Sequence, residues 1–226
     1  MKYRSAILMS MGVWALLLAI PAVSRADVVF NNFGAGFSYN TGAGNFIGNG
    51  LDGSGSNYAE GDTFTPTTTA TFTSLEIALS NFFGPTNTDR LAVSLDANSG
   101  DAPGATLESF IVAPGTLGTL GNNNAPIVLN SVVMPVLTAG TQYWVTVSDQ
   151  AGVDSNVWNW NSTGDMSDEA ISTDGGSTWF SPSGLTPGAY QVNGVQSTTT
   201  PEPSASWFVI GLFAAAAAVF RKWRIQ

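Results

Sequence analysis

Residues 72–79, FTSLEIAL, decide the fold because their apolar and polar side chains alternate. Leu75, Ile77 and Leu79 lie on one side of an extended chain, and the residues between them lie on the other. A period of two is typical of a β-strand that rests one face on a hydrophobic core. The stretch therefore predicts a strand.

The same alternation recurs along the chain, with Gly-, Pro- and Asn-rich turns between the segments. No helical pattern separates them, which disfavours a parallel α/β sheet. The pattern predicts an all-β fold: an antiparallel two-sheet sandwich of jelly-roll type. The predicted strands are residues 28–33, 58–64, 72–79, 91–96, 107–112, 127–136, 143–148, 157–161, 178–180 and 190–192, with 46–47 a further short candidate in a long loop.

The C-terminal segment, residues 201–226, has three parts. Pro201-Glu202-Pro203 is a stiff extended tripeptide, because each proline fixes its own φ and keeps the preceding residue out of the α region. The uncharged run 207–220 predicts a short hydrophobic helix, shorter than the roughly 17–25 residues that usually span a bilayer. The basic residues that follow it are Arg221, Lys222 and Arg224.

This order of Pro-Glu-Pro, apolar helix and basic end resembles the PEP-CTERM sorting signal of Gram-negative bacteria. The resemblance implies recognition by exosortase, a membrane-embedded transpeptidase-like enzyme, with cleavage near the tripeptide. It also implies an exported protein that accompanies exopolysaccharide. The alternative is an ordinary C-terminal membrane anchor.

The N-terminus predicts a secretory signal peptide over residues 1–26. Lys2 and Arg4 precede an apolar run at 6–20, and Ser24 and Ala26 place small residues before the expected cleavage point. The alternative is an uncleaved N-terminal helix. The predicted organisation is a signal peptide (1–26), an exported β-sandwich (27–196), a linker (197–200) and a sorting signal (201–226). The protein would be held at the inner membrane until processed, and then reach the cell surface or extracellular matrix.

The exported region is strongly acidic. It contains every acidic residue except Glu202, and Arg90 is its only basic residue, so its net charge is −14. Such a surface repels nucleic acid. The chain also lacks histidine and cysteine, which excludes thiol nucleophiles and Ser-His-Asp triads. The enzyme class left open is a glycosidase with two carboxylates from Asp165, Asp168 and Glu169; the leading prediction is a non-catalytic protein.

Three stretches resemble the choice-of-anchor domain family, in particular type R. They are the strand pair through Leu75 and Leu91, the loop 96–104 (DANSGDAPG) and the segment 137–144 (LTAGTQYW). The resemblance spans most of residues 27–195. It implies a domain displayed on the cell surface, and it assigns no catalytic residue.

Two groups of oxygen-bearing side chains are candidate calcium ligands, because calcium prefers carboxylate and amide oxygens. The alternative for the first group is an inter-strand turn, and for the second a solvated acidic surface. No other cofactor is predicted. The candidates are Asp96, Asn98 and Asp101 in one loop, and Asp165, Asp168 and Asp174, with Glu169 among them, in another.

Two tryptophans form a candidate glycan site. Trp158 and Trp160 share one face of a predicted strand, where exposed indoles would stack on sugar rings, and Asn159 and Asn161 would bind hydroxyl groups. The alternative is that both indoles belong to the core; Trp144 and Trp179 are expected there. The sequence therefore favours an adhesive or scaffolding matrix protein, with a lectin-like module as the alternative.

Overall fold

The computed structural model describes residues 27–49, 54–83, 88, 90–151, 154–182 and 184–196. Contacts divide the chain into two units, Met1–Val195 and Gln196–Gln226, and nearly all described residues belong to the first. The described ranges contain no helix that could cross a membrane. The predicted signal peptide, the sorting tripeptide Pro201-Glu202-Pro203 and the basic tail lie outside these ranges.

Strands account for the regular structure of the described residues. They are β1 (Asp27–Asn31), β2 (Gly44–Asn49), β3 (Asn57–Phe64), β4 (Ala70–Ile77), β5 (Leu79–Asn81), β6 (Leu91–Asn98), β7 (Pro103–Val112), β8 (Gly118–Thr119), β9 (Ile127–Asn130), β10 (Val136–Leu137), β11 (Tyr143–Asp149), β12 (Ser155–Asn159), β13 (Glu169–Ser172) and β14 (Tyr190–Gln196).

The strands form two sheets. The smaller follows the order β1-β14-β4-β10, with β9 also paired to β4. The larger follows the order β7-β6-β11-β3-β2-β12-β5-β8, with β13 also paired to β3. All the registered pairs are antiparallel except β5 with β8. The prediction of an all-β, two-sheet domain with β-sandwich character is confirmed.

The core collects the inward side chains of both sheets. Val145 on β11 lies opposite Leu95 on β6, and Val147 lies opposite Val93; all four are at most 1% exposed. Leu75, from β4 of the smaller sheet, belongs to the same buried cluster. Full burial of one such side chain contributes about 1.5–3 kcal/mol. The alternating apolar side chains of the strands thus form the hydrophobic core, as the sequence predicted.

The predicted strand 72–79 is two strands in different sheets. β4 belongs to the smaller sheet and β5 to the larger. The chain changes partner at Ala78, whose N–H donates a hydrogen bond to the Ala189 carbonyl (3.0 Å). The unbroken alternation hides this change, because residues on both sides of it point into one core.

Two other predicted strands do not form as predicted. Residues 127–136 form β9 and β10 with a turn between them, and residues 178–180 contribute an isolated bridge between Phe180 and Ile171 rather than a strand. β8 and β13 were not predicted as strands. β13 is important because it carries a carboxylate of the site described next.

Candidate functional site

Three carboxylates converge on the core-facing side of the larger sheet. Glu60 and Asp62 lie two residues apart on β3 and therefore point to the same face. Glu169 on β13 lies directly opposite Asp62. The three side chains are 1%, 0% and 3% exposed, and one oxygen from each lies within 4.8 Å of the others. Among the described residues this is the one such group of three or more metal-ligating side chains.

The face that carries the triad is the core face of β3. Phe64, two residues beyond Asp62, belongs to the main hydrophobic cluster. On β11, Val147 lies opposite Glu60, and Val145 lies opposite Asp62; both valines are buried. The carboxylates therefore occupy positions where the strand pattern calls for apolar side chains.

Few hydrogen-bond donors reach the triad. The Asn45 side-chain amide donates to Oε1 of Glu60 and to Oε1 of Glu169 (2.9 Å for the second). The Trp160 indole N–H donates to Asn45 Oδ1 (2.8 Å) and so orients this amide. The Gly188 N–H donates to Asp62 Oδ2 (2.8 Å). Glu60 Oε2 and Asp62 Oδ1 are buried and accept no hydrogen bond.

This environment disfavours negative charge. Burial raises the pKa of Glu60 well above its usual value, and the charge of Asp62 and the contact with Glu169 add to the effect. Burial, followed by the charge of Glu169, likewise raises the pKa of Asp62. Burial also raises the pKa of Glu169, against hydrogen bonds from Glu60 and Asn45. Arg90 is the only basic residue within the described ranges, and it is exposed.

The arrangement can do two things chemically. Its ligand set is entirely oxygen, which suits a hard cation such as calcium or magnesium rather than zinc. The carboxyl groups of Glu60 and Glu169 are also close enough to share a proton, as acid–base pairs do. Acid–base chemistry on a substrate requires access, and the exposures of Glu60 and Glu169 give almost none.

The second predicted calcium group does not come together. Asp165 accepts a hydrogen bond from the Asn32 side chain (3.0 Å), and Asp168 contacts the Gln142 side chain (3.4 Å). Asp174 caps its own turn, where the Ser172 hydroxyl and the Thr178 N–H and hydroxyl lower its pKa to about 2. These three acids form no shared ligand cluster, although their neighbour Glu169 joins one. A high density of acidic residues along the chain therefore did not mean that their side chains converge in the folded domain.

The loop of Asp96, Asn98 and Asp101 is built as a turn. Asp96 is buried and accepts from the Thr146 hydroxyl (2.8 Å), whereas Asn98 Oδ1 accepts from the Trp144 indole (2.9 Å). Asp101 is exposed, with a positive φ of 61°. The three side chains serve different partners, in agreement with the turn alternative.

The predicted glycan platform is not exposed. Trp158 is 0% exposed, packs edge-on against Tyr190 and donates to the Ala189 carbonyl (3.2 Å). Gly188 is required beside it, because a Cβ there would lie 2.2 Å from the indole nitrogen. Asn159 and Asn161 are buried as well, and Trp160 is half-buried against Asn45. The core interpretation therefore holds for Trp158, and the four residues do not offer a stacking surface.

A polar groove lies on the outer face of the larger sheet, where the sequence predicted no site. It encloses about 320 Å³. Trp179, expected in the core, is half-buried at its wall, whereas Trp144 is fully buried. The alternating polar side chains on the outward face of β6 and β11 were the sequence feature that could have indicated it. The groove is lined by Ser94, Asp96, Thr106, Thr146, Ser148 and Trp179, among others.

Comparison with known proteins assigns no family. No protein-family model matches the chain. No curated protein matches it significantly. The functional argument therefore rests on the residues and geometry of this chain.

Proposed function

We propose that this protein is an exported, exosortase-processed β-sandwich of jelly-roll type that serves, without catalysis, in the cell surface or extracellular matrix beside exopolysaccharide. The observation that carries the proposal is the order of Pro201-Glu202-Pro203, apolar run and basic end in residues 201–226, together with the secretory pattern of residues 1–26. Exosortase is then the processing partner, and the inner membrane is a transient one.

Two features of the domain support a non-catalytic role. Glu60, Asp62 and Glu169, the described carboxylates that converge as a group of three, are at most 3% exposed, so a glycosidic bond has no route to them. Asp165 and Asp168, the other members of the glycosidase hypothesis, accept side-chain hydrogen bonds from Asn32 and Gln142 and do not belong to this group. A glycosidase needs two facing carboxyl groups that the sugar can reach.

The test replaces the sorting tripeptide in the native host. We expect the triple substitution Pro201→Ala, Glu202→Ala and Pro203→Ala to leave export intact and to retain the full-length chain in the inner membrane. The control alters the adjacent linker by Thr198→Ala, Thr199→Ala and Thr200→Ala, and should be processed normally. Fractionation and mass spectrometry give the result. If the tripeptide variant reaches the wild-type location at the wild-type mature mass, the sorting proposal is wrong.

A lectin-like function is the second candidate, and the outer groove favours it. The half-buried Trp179 presents an indole on which the apolar face of a sugar ring could stack. The hydroxyls of Ser94, Thr106 and Thr146 line the same groove and can bind sugar hydroxyls. Its volume of about 320 Å³ is at the lower end of the range for small-ligand sites.

A glycan array distinguishes a lectin-like function from a surface or matrix role without glycan binding at the groove. We expect Trp179→Ala to lose any glycan that the wild type binds. Phe180→Ala is the matched control, because Phe180 is an adjacent aromatic residue, is 52% exposed and does not line the groove. Equal binding by wild type and Trp179→Ala, or an array on which the wild type binds nothing, would rule out the groove as a lectin site.

A further inference from the structure

We propose that Glu60, Asp62 and Glu169 together bind one calcium ion in the interior of the domain. This site differs from both calcium groups predicted from the sequence. It is also independent of the sorting proposal, because it concerns the folded domain and not its export. The argument has four steps: charge, unpartnered oxygens, spacing and access.

The first step is charge. Ionised carboxylates are strongly disfavoured in a protein interior unless a cation or hydrogen-bond donors compensate them. The three side chains are at most 3% exposed, and the basic residue of the described ranges, Arg90, is exposed. Asn45 and the Gly188 N–H supply their identified hydrogen bonds. The cluster therefore needs protons or a bound cation.

The second step distinguishes a cation from protons. A proton shared between Glu60 and Glu169 satisfies that pair alone. Asp62 Oδ1 would still be buried without a partner, as Glu60 Oε2 also is in the structure. One ion bound to Asp62 Oδ1 and Glu60 Oε2 would satisfy both oxygens, and Glu169 would complete the set of carboxylate ligands. These two oxygens are the independent sign of a missing ligand.

The third step is spacing. Calcium binds oxygens at about 2.3–2.6 Å, so two oxygens on the same ion are at most about 5 Å apart. The ligand oxygens of Glu60, Asp62 and Glu169 lie within 4.8 Å of one another. Calcium accepts irregular sets of carboxylate oxygens, whereas magnesium requires a near-ideal octahedron and usually retains several waters. A set of buried carboxylates fixed on two strands therefore favours calcium.

The fourth step is access and consequence. Asn45, which donates to Glu60 and Glu169, is half-buried, as is Thr186, whose carbonyl accepts from Asn45, so solvent reaches the residue that adjoins the cluster. An ion would join β13 to β3. Gly188 extends this link, because its N–H donates to Asp62. The chain has no cysteine for a disulfide, and calcium would provide an equivalent internal cross-link.

The test uses the full-length chain, purified in mild detergent and stripped with EDTA. Calorimetry with CaCl2 should show one ion bound per chain. At a hundredfold excess over Kd, calcium adds about 2.7 kcal/mol to the free energy of unfolding. This corresponds to a rise of roughly 5–10 °C in Tm for a domain of this size. The reference is NaCl of equal ionic strength, and MgCl2 should raise Tm less.

Substitutions locate the ion. Glu60→Gln and Asp62→Asn should abolish both the binding and the calcium-dependent rise in Tm. Asp168→Asn is the matched control, because Asp168 is exposed, adjoins Glu169 and belongs to the loop group predicted from the sequence; it should bind calcium like the wild type. Loss of binding in Asp168→Asn with retention in Glu60→Gln would move the site to the loop and overturn the proposal.

Wild-type measurements decide the matter even if a variant fails to fold. Acidification should weaken calcium binding, because protons compete for the same carboxylates. Absence of binding to the wild type, with equal Tm in CaCl2 and matched NaCl, would show that the triad holds protons instead. Such a result would leave the sorting proposal intact, since retention of the tripeptide variant is measured separately.

Discussion

Two buried glutamates, Glu108 and Glu60, are held in opposite ways. Glu108, 6% exposed, accepts hydrogen bonds from the Ser131 hydroxyl (2.5 Å) and from the N–H groups of Val132 (2.6 Å) and Val133 (3.0 Å). Burial alone would raise its pKa, but these three donors together lower it. Glu60, 1% exposed, has one oxygen without a donor and two acids beside it, and its pKa is raised.

The difference shows that the supply of donors, more than burial, determines whether an interior carboxylate is stable as an anion. Glu108 points at a turn, where the N–H groups of Val132 and Val133 have no strand partner. Glu60 and Asp62 lie within β3, which pairs with β11 on one side and β13 on the other. The backbone N–H groups of these strands donate to neighbouring strands. A cation would therefore take the place of hydrogen-bond donors to Glu60 and Asp62.

The largest expected effect is at Glu108. Glu108→Ala removes the acceptor of two backbone N–H groups and one hydroxyl, and should destabilise the domain by about 2–3 kcal/mol. Glu108→Gln retains an oxygen acceptor and should cost less. Urea unfolding of the three proteins measures the effect. Equal losses for the alanine and glutamine variants would mean that these hydrogen bonds do not stabilise the turn.

Glu60 should respond to the same change with the opposite sign. In calcium-free buffer at neutral pH, Glu60→Gln removes a charge that the site cannot compensate, and should therefore raise the free energy of unfolding. Urea unfolding beside Glu108→Gln gives the comparison directly. A loss of stability in both glutamine variants would contradict the contrast between the two sites.

The smallest effect is expected at Asp174, an exposed carboxylate that is supplied with donors. Its pKa is about 2 because the Ser172 hydroxyl and the Thr178 N–H and hydroxyl donate to it. Its contribution is therefore present above the ordinary carboxyl range and lost as pH falls through about 2. Carboxyl chemical shifts from NMR should give this midpoint, and Ser172→Ala should raise it. An ordinary midpoint in the wild type would remove Asp174 from the donor-rich class.

Alternation predicted most of the fold and missed the site, for one physical reason. Residues such as Leu75 and Val145 follow the rule that apolar side chains point inward, so their strands were predictable. β13 departs from the rule, because Glu169 is buried whereas Ile171, on the same face of the strand, is only half-buried. A segment with an inward acid has no amphipathic pattern that would indicate a strand.

The triad itself required long-range pairing that local sequence does not encode. Alternation does put Glu60 and Asp62 on the same face as Phe64, and this was the available signal. Carboxylates are rarely buried, so this signal alone does not predict a buried site. Only the register between β3 and β13 brings Glu169 to the other two. Local density instead drew attention to Asp165, Asp168 and Asp174, which diverge.

The most direct test of the donor argument is the pH dependence of stability with and without calcium. Raised carboxyl pKa values stabilise the folded state below the ordinary carboxyl range, and that contribution is lost as pH rises through the raised values. The calcium-free wild type should therefore lose stability as pH rises above the ordinary carboxyl range, about pH 4.5. Calcium should reduce this loss, and Glu60→Gln and Asp62→Asn should also reduce it without calcium. A calcium-free wild type with constant or rising stability above that pH, unaffected by either substitution, would contradict the account.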